Sequence, residues 1–156
     1  MPEADRSRPP RQKEKSPARK KGPQGLSADQ PLSEYARALM RFHFEELLRH
    51  EAGTRLGDDI EALHDMRVAT RRLRAAFDVF LPAFRLRVVK PLLGELRTVR
   101  LALGPVRDLD VFIENARRHQ SAHAVDLGLL LAEWQVRRET ARSQMLAYLD
   151  GPAFET

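Results

Sequence analysis

Four basic side chains recur every three or four residues in the middle of the chain. His64, Arg67, Arg71 and Arg74 have the spacing that places residues on one side of an α-helix, within an arc of about 80° and along about 15 Å of its axis. Like charges at these spacings repel one another by a few tenths of a kcal/mol per pair in an isolated helix. The row therefore predicts an anionic partner that lies against it.

The helix that must position this row is predicted to begin at Asp58 or Asp59, either of which can cap its N-terminus, and to run to Leu81, before Pro82. Apolar side chains recur at helical spacing beside the row and share an arc of about 100° that can face a core. They are Met66, Ala69, Leu73, Ala76, Phe77 and Phe80. This helix is therefore expected to bury one face and to display its arginines beside it.

Four further helices are predicted around it. The first begins near Pro31, a residue suited to a first helical turn, and Gly104-Pro105 is expected to end the third helix and to open the fourth. Short connections imply antiparallel neighbours, and strand patterns are absent. The sequence thus predicts an all-α antiparallel bundle of about four to five helices. The four predicted ranges are about 31–53, 88–103, 105–119 and 125–149.

The N-terminal stretch differs in composition from the rest of the chain. Residues 1–25 hold eight of the 27 basic residues, only three of the 22 acidic residues, and five prolines. Such a segment cannot bury enough apolar surface to offset its ordering, so we predict a disordered basic tail over residues 1–30 and one helical domain over residues 31–156. The tail is either a solubilising terminus or a non-specific electrostatic arm for a polyanion.

The chain after residue 25 is neutral overall, because its nineteen basic residues are matched by nineteen acidic ones. Any anion site in it must therefore come from the arrangement of charges. Of these nineteen basic residues only Lys90 is a lysine. Arginine supplies planar, forked donors, which suit phosphate or carboxylate oxygens better than a point charge does.

Several classes of protein are excluded or disfavoured by what the chain lacks. It has no cysteine, which excludes disulfides and thiolate metal sites and fits a cytoplasmic protein. No apolar run approaches the eighteen or more residues of a membrane helix, and the N-terminus has no apolar segment typical of a secretory signal. We therefore predict no membrane partner.

Histidines and a glutamate of the first helix form a second polar group. His43, Glu46 and His50 recur at spacings that bundle metal sites use, but one helix cannot supply a coordination sphere. We interpret them as a polar network in which Glu46 pairs with an arginine. His119 and His123 lie at the predicted end of a helix, where a ligand role is weak. The sequence therefore predicts no metal site.

Two motifs resemble the signature of a known family. The run H-D-M-R-V-A-T-R-R-L-R at residues 64–74 is followed about thirty residues later by L-G-P-V-R-D-L-D-V at residues 103–111. In order, spacing and residue types both are similar to the CHAD family, the histidine-bearing α-helical domain. The resemblance covers about residues 31–156.

The resemblance implies a helical module that binds inorganic polyphosphate in a basic groove, without a cofactor and without catalysis, in some cases at polyphosphate granules. It implies a binding set of His64, Arg67, Arg71, Arg72, Arg74 and Arg107. We add Arg97 and Arg100 because of their spacing on the third helix. Asp108 and Asp110 are expected to be structural polar residues, with Asp108 orienting an arginine.

The resemblance also implies a longer domain. The usual CHAD domain is about twice this length, with a second helical half that carries its own basic motif. The sequence is therefore expected either to be a fragment or to pair as a homodimer that rebuilds the second half. The apolar faces that a lone half would expose motivate the homodimer.

Two other functions compete with this interpretation. Asp65, Asp108 and Asp110 could hold Mg²⁺ in a polyphosphate or triphosphate hydrolase, although a nucleophilic cysteine, a serine nucleophile elbow and a phosphate-binding glycine loop are all absent. A nucleic-acid-binding protein is favoured by the basic tail and by the R-R-L-R run. Aromatic residues make up only 6% of the chain, which argues against base stacking.

Overall fold

The structure, a computed structural model, describes residues 29–155. Over these residues the chain forms long helices joined by short connections, without strands, so the predicted all-α bundle of about four to five helices is confirmed. The predicted basic tail lies, apart from Asp29 and Gln30, outside the described residues. The elements are α1 (Leu32–Leu56), α2 (Ile60–Phe80), a 3₁₀ turn (Leu81–Ala83), α3 (Leu86–His123), α4 (Gly128–Leu149) and α5 (Pro152–Glu155).

Helix α1 continues beyond Gly53, where the sequence predicted its end. It ends at Leu56, because Gly57 adopts the left-handed conformation (φ +78°) and its N–H donates to the carbonyl of Gly53. Gly53 serves packing instead: a Cβ there would lie 2.8 Å from the Cβ of Ala62. The missing side chain lets α1 and α2 approach closely just before the turn that joins them.

Helix α2 begins as predicted, with Asp59 as its N-cap. The Asp59 carboxylate accepts a hydrogen bond from the N–H of Glu61 at 2.8 Å, which satisfies one of the free donors of the first turn. The apolar face of α2 lies at the centre of the core and is flanked by α1 and α3. Its buried residues are Leu63, Met66, Ala69, Thr70, Leu73, Ala76 and Phe77.

Helix α3 is continuous for 38 residues, about 57 Å, and passes through Gly104-Pro105. The predicted break between a third and a fourth helix was therefore wrong. Buried positions continue in the same helical phase on both sides, with Leu96, Val99 and Leu103 before the pair and Val106 after it. Pro105 removes only the hydrogen bond to the carbonyl four residues earlier, and burial of this face outweighs that loss.

Helix α4 packs antiparallel on α3, since its residues pair with earlier and earlier positions of α3 as the chain advances. Gln120 accepts from the N–H of Leu127, while further along Trp134 stacks near Phe112 at 5.8 Å. Residues 128–140 contain no buried residue, whereas Ala141, Met145 and Leu149 enter the core. None of the helices over residues 29–155 has the length and apolar content that crossing a bilayer requires.

Arginines fasten the ends of α1 and α4 to each other. Arg142 on α4 donates to the carbonyls of Arg55 and Leu56 at 2.7 and 2.9 Å, and so caps the C-terminus of α1. Arg55 in turn donates to the carbonyl of Leu149 at 2.6 Å and to the carboxylate of Asp150, and so caps the C-terminus of α4. Each helix end thereby satisfies carbonyls that have no partner within their own helix.

Candidate functional site

The predicted row on α2 lies beside the buried face, on the side that meets α3. Arg67 and Arg74 are partly buried at its edge, whereas Arg71 is exposed. Arg71 makes no ion pair or hydrogen bond with another described residue. Arg74 Nε lies 3.6 Å from Asp78 Oδ2, one turn further along the same helix. The backbone that carries the row is thus fixed by the core, while the guanidinium groups face the surface.

Arg67 extends from α2 across the surface of α3. Its Nη2 lies 3.5 Å from Asp108 Oδ1, and its Nη1 lies 3.1 Å from the position that a Cβ on Gly104 would take. The guanidinium therefore sits between two positions of α3 that are one turn apart. Asp108, which the sequence predicts to orient Arg107 or an arginine of the second helix, thus contacts Arg67.

Arg107 of α3 extends toward the first turn of α2. Its side chain is only 13% exposed, and its Nη2 lies 3.8 Å from Glu61 Oε1 near the start of α2. Its Nε and Nη1 are buried, and neither has a hydrogen-bond partner among the described residues. A buried guanidinium with free donors is costly, so this group favours an added acceptor.

The contacts between α2 and α3 fix the register of the two helices. Arg67 faces Gly104, and Glu61, which precedes Arg67, faces Arg107, which follows Gly104, so the helices are antiparallel. Four residues onward on α2 thus correspond to four residues back on α3, which brings Arg71 level with Arg100.

A further step of three residues on each helix brings Arg74 level with Arg97. Arg97 and Arg100 are exposed and make no ion pair with another described residue. Together the two helices display six guanidinium groups beside one boundary. We call this set the arginine cluster: Arg67, Arg71 and Arg74 of α2, and Arg97, Arg100 and Arg107 of α3.

The charge of the arginine cluster exceeds that of its carboxylates. Among residues 29–155, three carboxylates lie within 4 Å of its six guanidinium groups. Their side chains are more than half exposed, at 63% for Glu61, 56% for Asp78 and 61% for Asp108. Exposed pairs at 3.5–3.8 Å contribute about 0–1 kcal/mol. An incoming polyanion can therefore displace them at small cost.

Two of the predicted binding residues are not members of the arginine cluster. His64 is half-buried at the N-terminal end of the row on α2. Arg72 points to the other flank, toward α1, where its charge adds to the effect of burial in lowering the pKa of His43. The structure therefore does not bring Arg72 together with the arginine cluster.

The polar residues of α1 meet α2 on this opposite flank. Glu46 is buried and bonds to Arg49, in line with the predicted pairing of Glu46 with an arginine. His50 Nε2 lies 3.8 Å from Asp65 Oδ2. Over residues 29–155 no three histidine, aspartate or glutamate side chains come together as a metal-ligand set. We interpret this flank as a polar contact between α1 and α2.

The arginines that serve structure were missed in the sequence. Asp110, expected to be a structural polar residue, is buried, and its Oδ1 accepts from Arg138 Nε at 2.5 Å. Neither Arg138 nor the capping residue Arg142 carries a local signal, because each acts on residues 28 or more positions away.

The comparison with protein families supplies the identification. The family model described as CHAD domain matches residues 38–156, which is most of the chain and includes every residue of the arginine cluster. The chain belongs to the CHAD family. No curated protein and no solved structure matches it. CHAD domains are known for binding polyphosphate, which agrees with a surface that gathers arginine side chains from two helices.

Proposed function

We propose that this CHAD domain binds inorganic polyphosphate at the arginine cluster and does not catalyse its breakdown. The observation that carries the proposal is the antiparallel pairing of two arginine rows, in which Arg71, Arg97 and Arg100 have no partner among the described residues. Each guanidinium fork can make paired, charge-assisted bonds to a phosphate. Rows along about 10 Å of helix can follow consecutive phosphates of one chain.

A linear polymer fits this surface better than a single phosphate does. Once one phosphate is held at Arg71, its neighbours in the chain are at high effective concentration near the other arginines. They can then displace the exposed carboxylates of Asp78 and Asp108. His64, at the end of the row, can donate a ring N–H to the same chain. Binding should release counterions and weaken steeply with salt.

Titration calorimetry with long-chain polyphosphate tests the proposal. The triple variant Arg67→Ala/Arg71→Ala/Arg74→Ala should lose nearly all binding at about 50 and about 200 mM salt, with its helical circular dichroism retained. A matched control removes three exposed arginines elsewhere, as Arg117→Ala/Arg118→Ala/Arg137→Ala, and should keep most of the affinity. Equal losses of affinity in the two triple variants would show that binding depends on the total charge of the protein and not on the arginine cluster.

The nucleic-acid alternative is tested by competition. The arginine cluster consists of arginines alone and offers no aromatic ring on which an unpaired base could stack. For a polyphosphate site, duplex DNA at equal phosphate concentration should fail to displace polyphosphate from residues 27–156. If DNA displaces polyphosphate, the arginine cluster is a nucleic-acid site instead.

The hydrolase alternative needs carboxylates that meet around a metal ion. Asp108 and Asp110 are two residues apart on α3 and so point to different sides, each against an arginine: Arg67 and Arg138. Both carboxylates are thus engaged separately. Phosphate release from long-chain polyphosphate with Mg²⁺, abolished by Asp108→Asn, would restore this alternative.

Pairing of two copies and a location at polyphosphate granules stay predictions. An apolar groove of about 470 Å³ opens between α1 and α3, where Phe44, Leu48 and Leu92 are 50%, 43% and 46% exposed. Light scattering checks the first prediction, and a folded monomer at micromolar concentration contradicts it. Granule location depends on the proposed binding and should be lost with the triple arginine variant.

A further inference from the structure

Gly104 occupies an unfavourable place for its residue type. It lies in the interior of α3, directly before Pro105, and glycine and proline are the two residues that destabilise a helix most. It does not mark a helix end and its backbone is ordinary helix. A contact outside the helix is one physical reason for a missing side chain at such a position.

That contact is the guanidinium of Arg67. A Cβ on Gly104 would lie 3.1 Å from Arg67 Nη1, tighter than nine in ten Cβ contacts, so the end of the Arg67 side chain would have to move by a few tenths of an ångström. Apart from the chain neighbours of Gly104 and the nearby backbone of α3, no other atom of residues 29–155 lies within 4 Å of that position. The second glycine of the helix, Gly94, has open space around the same position. One turn beyond Gly104, Asp108 receives Arg67 Nη2 at 3.5 Å. Gly104 and Asp108 thus form a notch and an acceptor for one side chain.

We propose that Gly104 is a positioning residue of the polyphosphate site, whose missing side chain lets the Arg67 guanidinium lie across α3. The inference rests on the proposed function. Arg67 is the one member of the α2 row that reaches the other helix, and in the notch it lies level with Gly104, between Arg100 and Arg107. Holding it there removes rotamer freedom before the anion arrives, which strengthens binding without any new contact.

Leucine substitutions at the two glycines of α3 test this. Gly104→Leu should fill the notch, displace Arg67 and weaken binding of long-chain polyphosphate about tenfold, which is the loss of about one charge-assisted contact. The slope of log affinity against log salt should fall by about 0.7, as for one phosphate contact. Gly94→Leu, the same change in open space, should bind like the wild type. Both variants should keep their helical circular dichroism.

A double-mutant cycle separates positioning from a general packing role. In an Arg67→Ala background Gly104→Leu should cause no further loss, because the side chain through which it acts is gone. Additive losses, or wild-type affinity of Gly104→Leu, would overturn the inference. If Gly104→Leu fails to fold, Gly104→Ala takes its place with an expected loss of about twofold, and the same cycle decides. A wild type that does not bind polyphosphate removes the proposed function itself, which is a separate outcome.

Discussion

Two groups of arginines in this molecule differ in how their guanidinium groups are bound. Where α4 meets α1 and α3, Arg55, Arg138 and Arg142 donate to backbone carbonyls or to a buried carboxylate at 2.5–2.9 Å. Beside the boundary of α2 and α3, the partners of Arg67 and Arg107 are exposed carboxylates at 3.5–3.8 Å, and Arg71 has none among the described residues. Burial and satisfaction of the acceptor thus separate arginines that fasten helices from arginines that remain available to a ligand.

The largest stability effect is expected at the buried pair. Arg138→Met keeps the apolar stem but leaves the carboxylate of Asp110, whose side chain is 2% exposed, without its partner. The free energy of unfolding should fall by about 3 kcal/mol, measured by urea denaturation. The neighbouring Arg137→Met removes only an exposed pair with Glu133 and should cost less than about 0.5 kcal/mol. Similar costs for both would erase the distinction between the two regions.

Helix capping comes next. Arg142→Lys keeps the charge but lacks the fork that reaches the carbonyls of Arg55 and Leu56. We expect a loss of about 1 kcal/mol in unfolding free energy, with polyphosphate affinity unchanged. Thermal unfolding and calorimetry check the two parts. A variant as stable as the wild type would show that charge alone caps α1.

Two adjacent arginines sharpen the comparison within one helix. Arg71→Ala should lower polyphosphate affinity about fivefold to tenfold, since it removes an available contact, and should change stability by less than about 0.5 kcal/mol. Arg72→Ala, on the flank toward α1, should leave that affinity near the wild-type value. Calorimetry on both variants under one salt condition decides. A larger effect of Arg72→Ala would place Arg72 in the binding set, as the family resemblance implies.

The smallest effect is expected from pH. Burial, and then the charge of Arg72, lower the pKa of His43 from its ordinary 6.5, so the folded state binds its proton less readily than the unfolded state does. Nearby Glu46 acts in the opposite direction. Stability should therefore fall as the pH drops through about 6.5. His43→Gln should flatten this decline between about pH 7.5 and pH 5.5 in urea titrations, and an unchanged decline would assign it to other groups.

The sequence predicted the elements whose signals are local. Asp59 as a cap, the apolar face of α2 and the arginine row beside it all depend on residues within a few turns, and the structure has them where the spacing placed them. The fold class followed from the same periodicity. The α2 half of the arginine cluster could therefore be placed from local spacing.

What the sequence did not predict depends on contacts between distant residues. Gly104-Pro105 is a strong local stop signal, yet packing of α3 on α2 overrides it. The sequence likewise predicts a helix end at Gly53, whose missing side chain instead makes room for Ala62. The partners of Asp110 and of the α1 carbonyls lie 28 and 87 residues away. No spacing rule connects such positions, so these arginines could not be told from solvated ones.

The exchange of caps between α1 and α4 bears on how the chain acquires its structure. The carbonyls of residues 54–56 accept hydrogen bonds from Arg142, which lies more than 80 residues later in the chain. Arg55 likewise donates to residues 149 and 150. Closing so long a segment is entropically costly, so this joint should form late in folding. During synthesis the first helix would leave the ribosome with its last turn frayed, and the fourth would complete it.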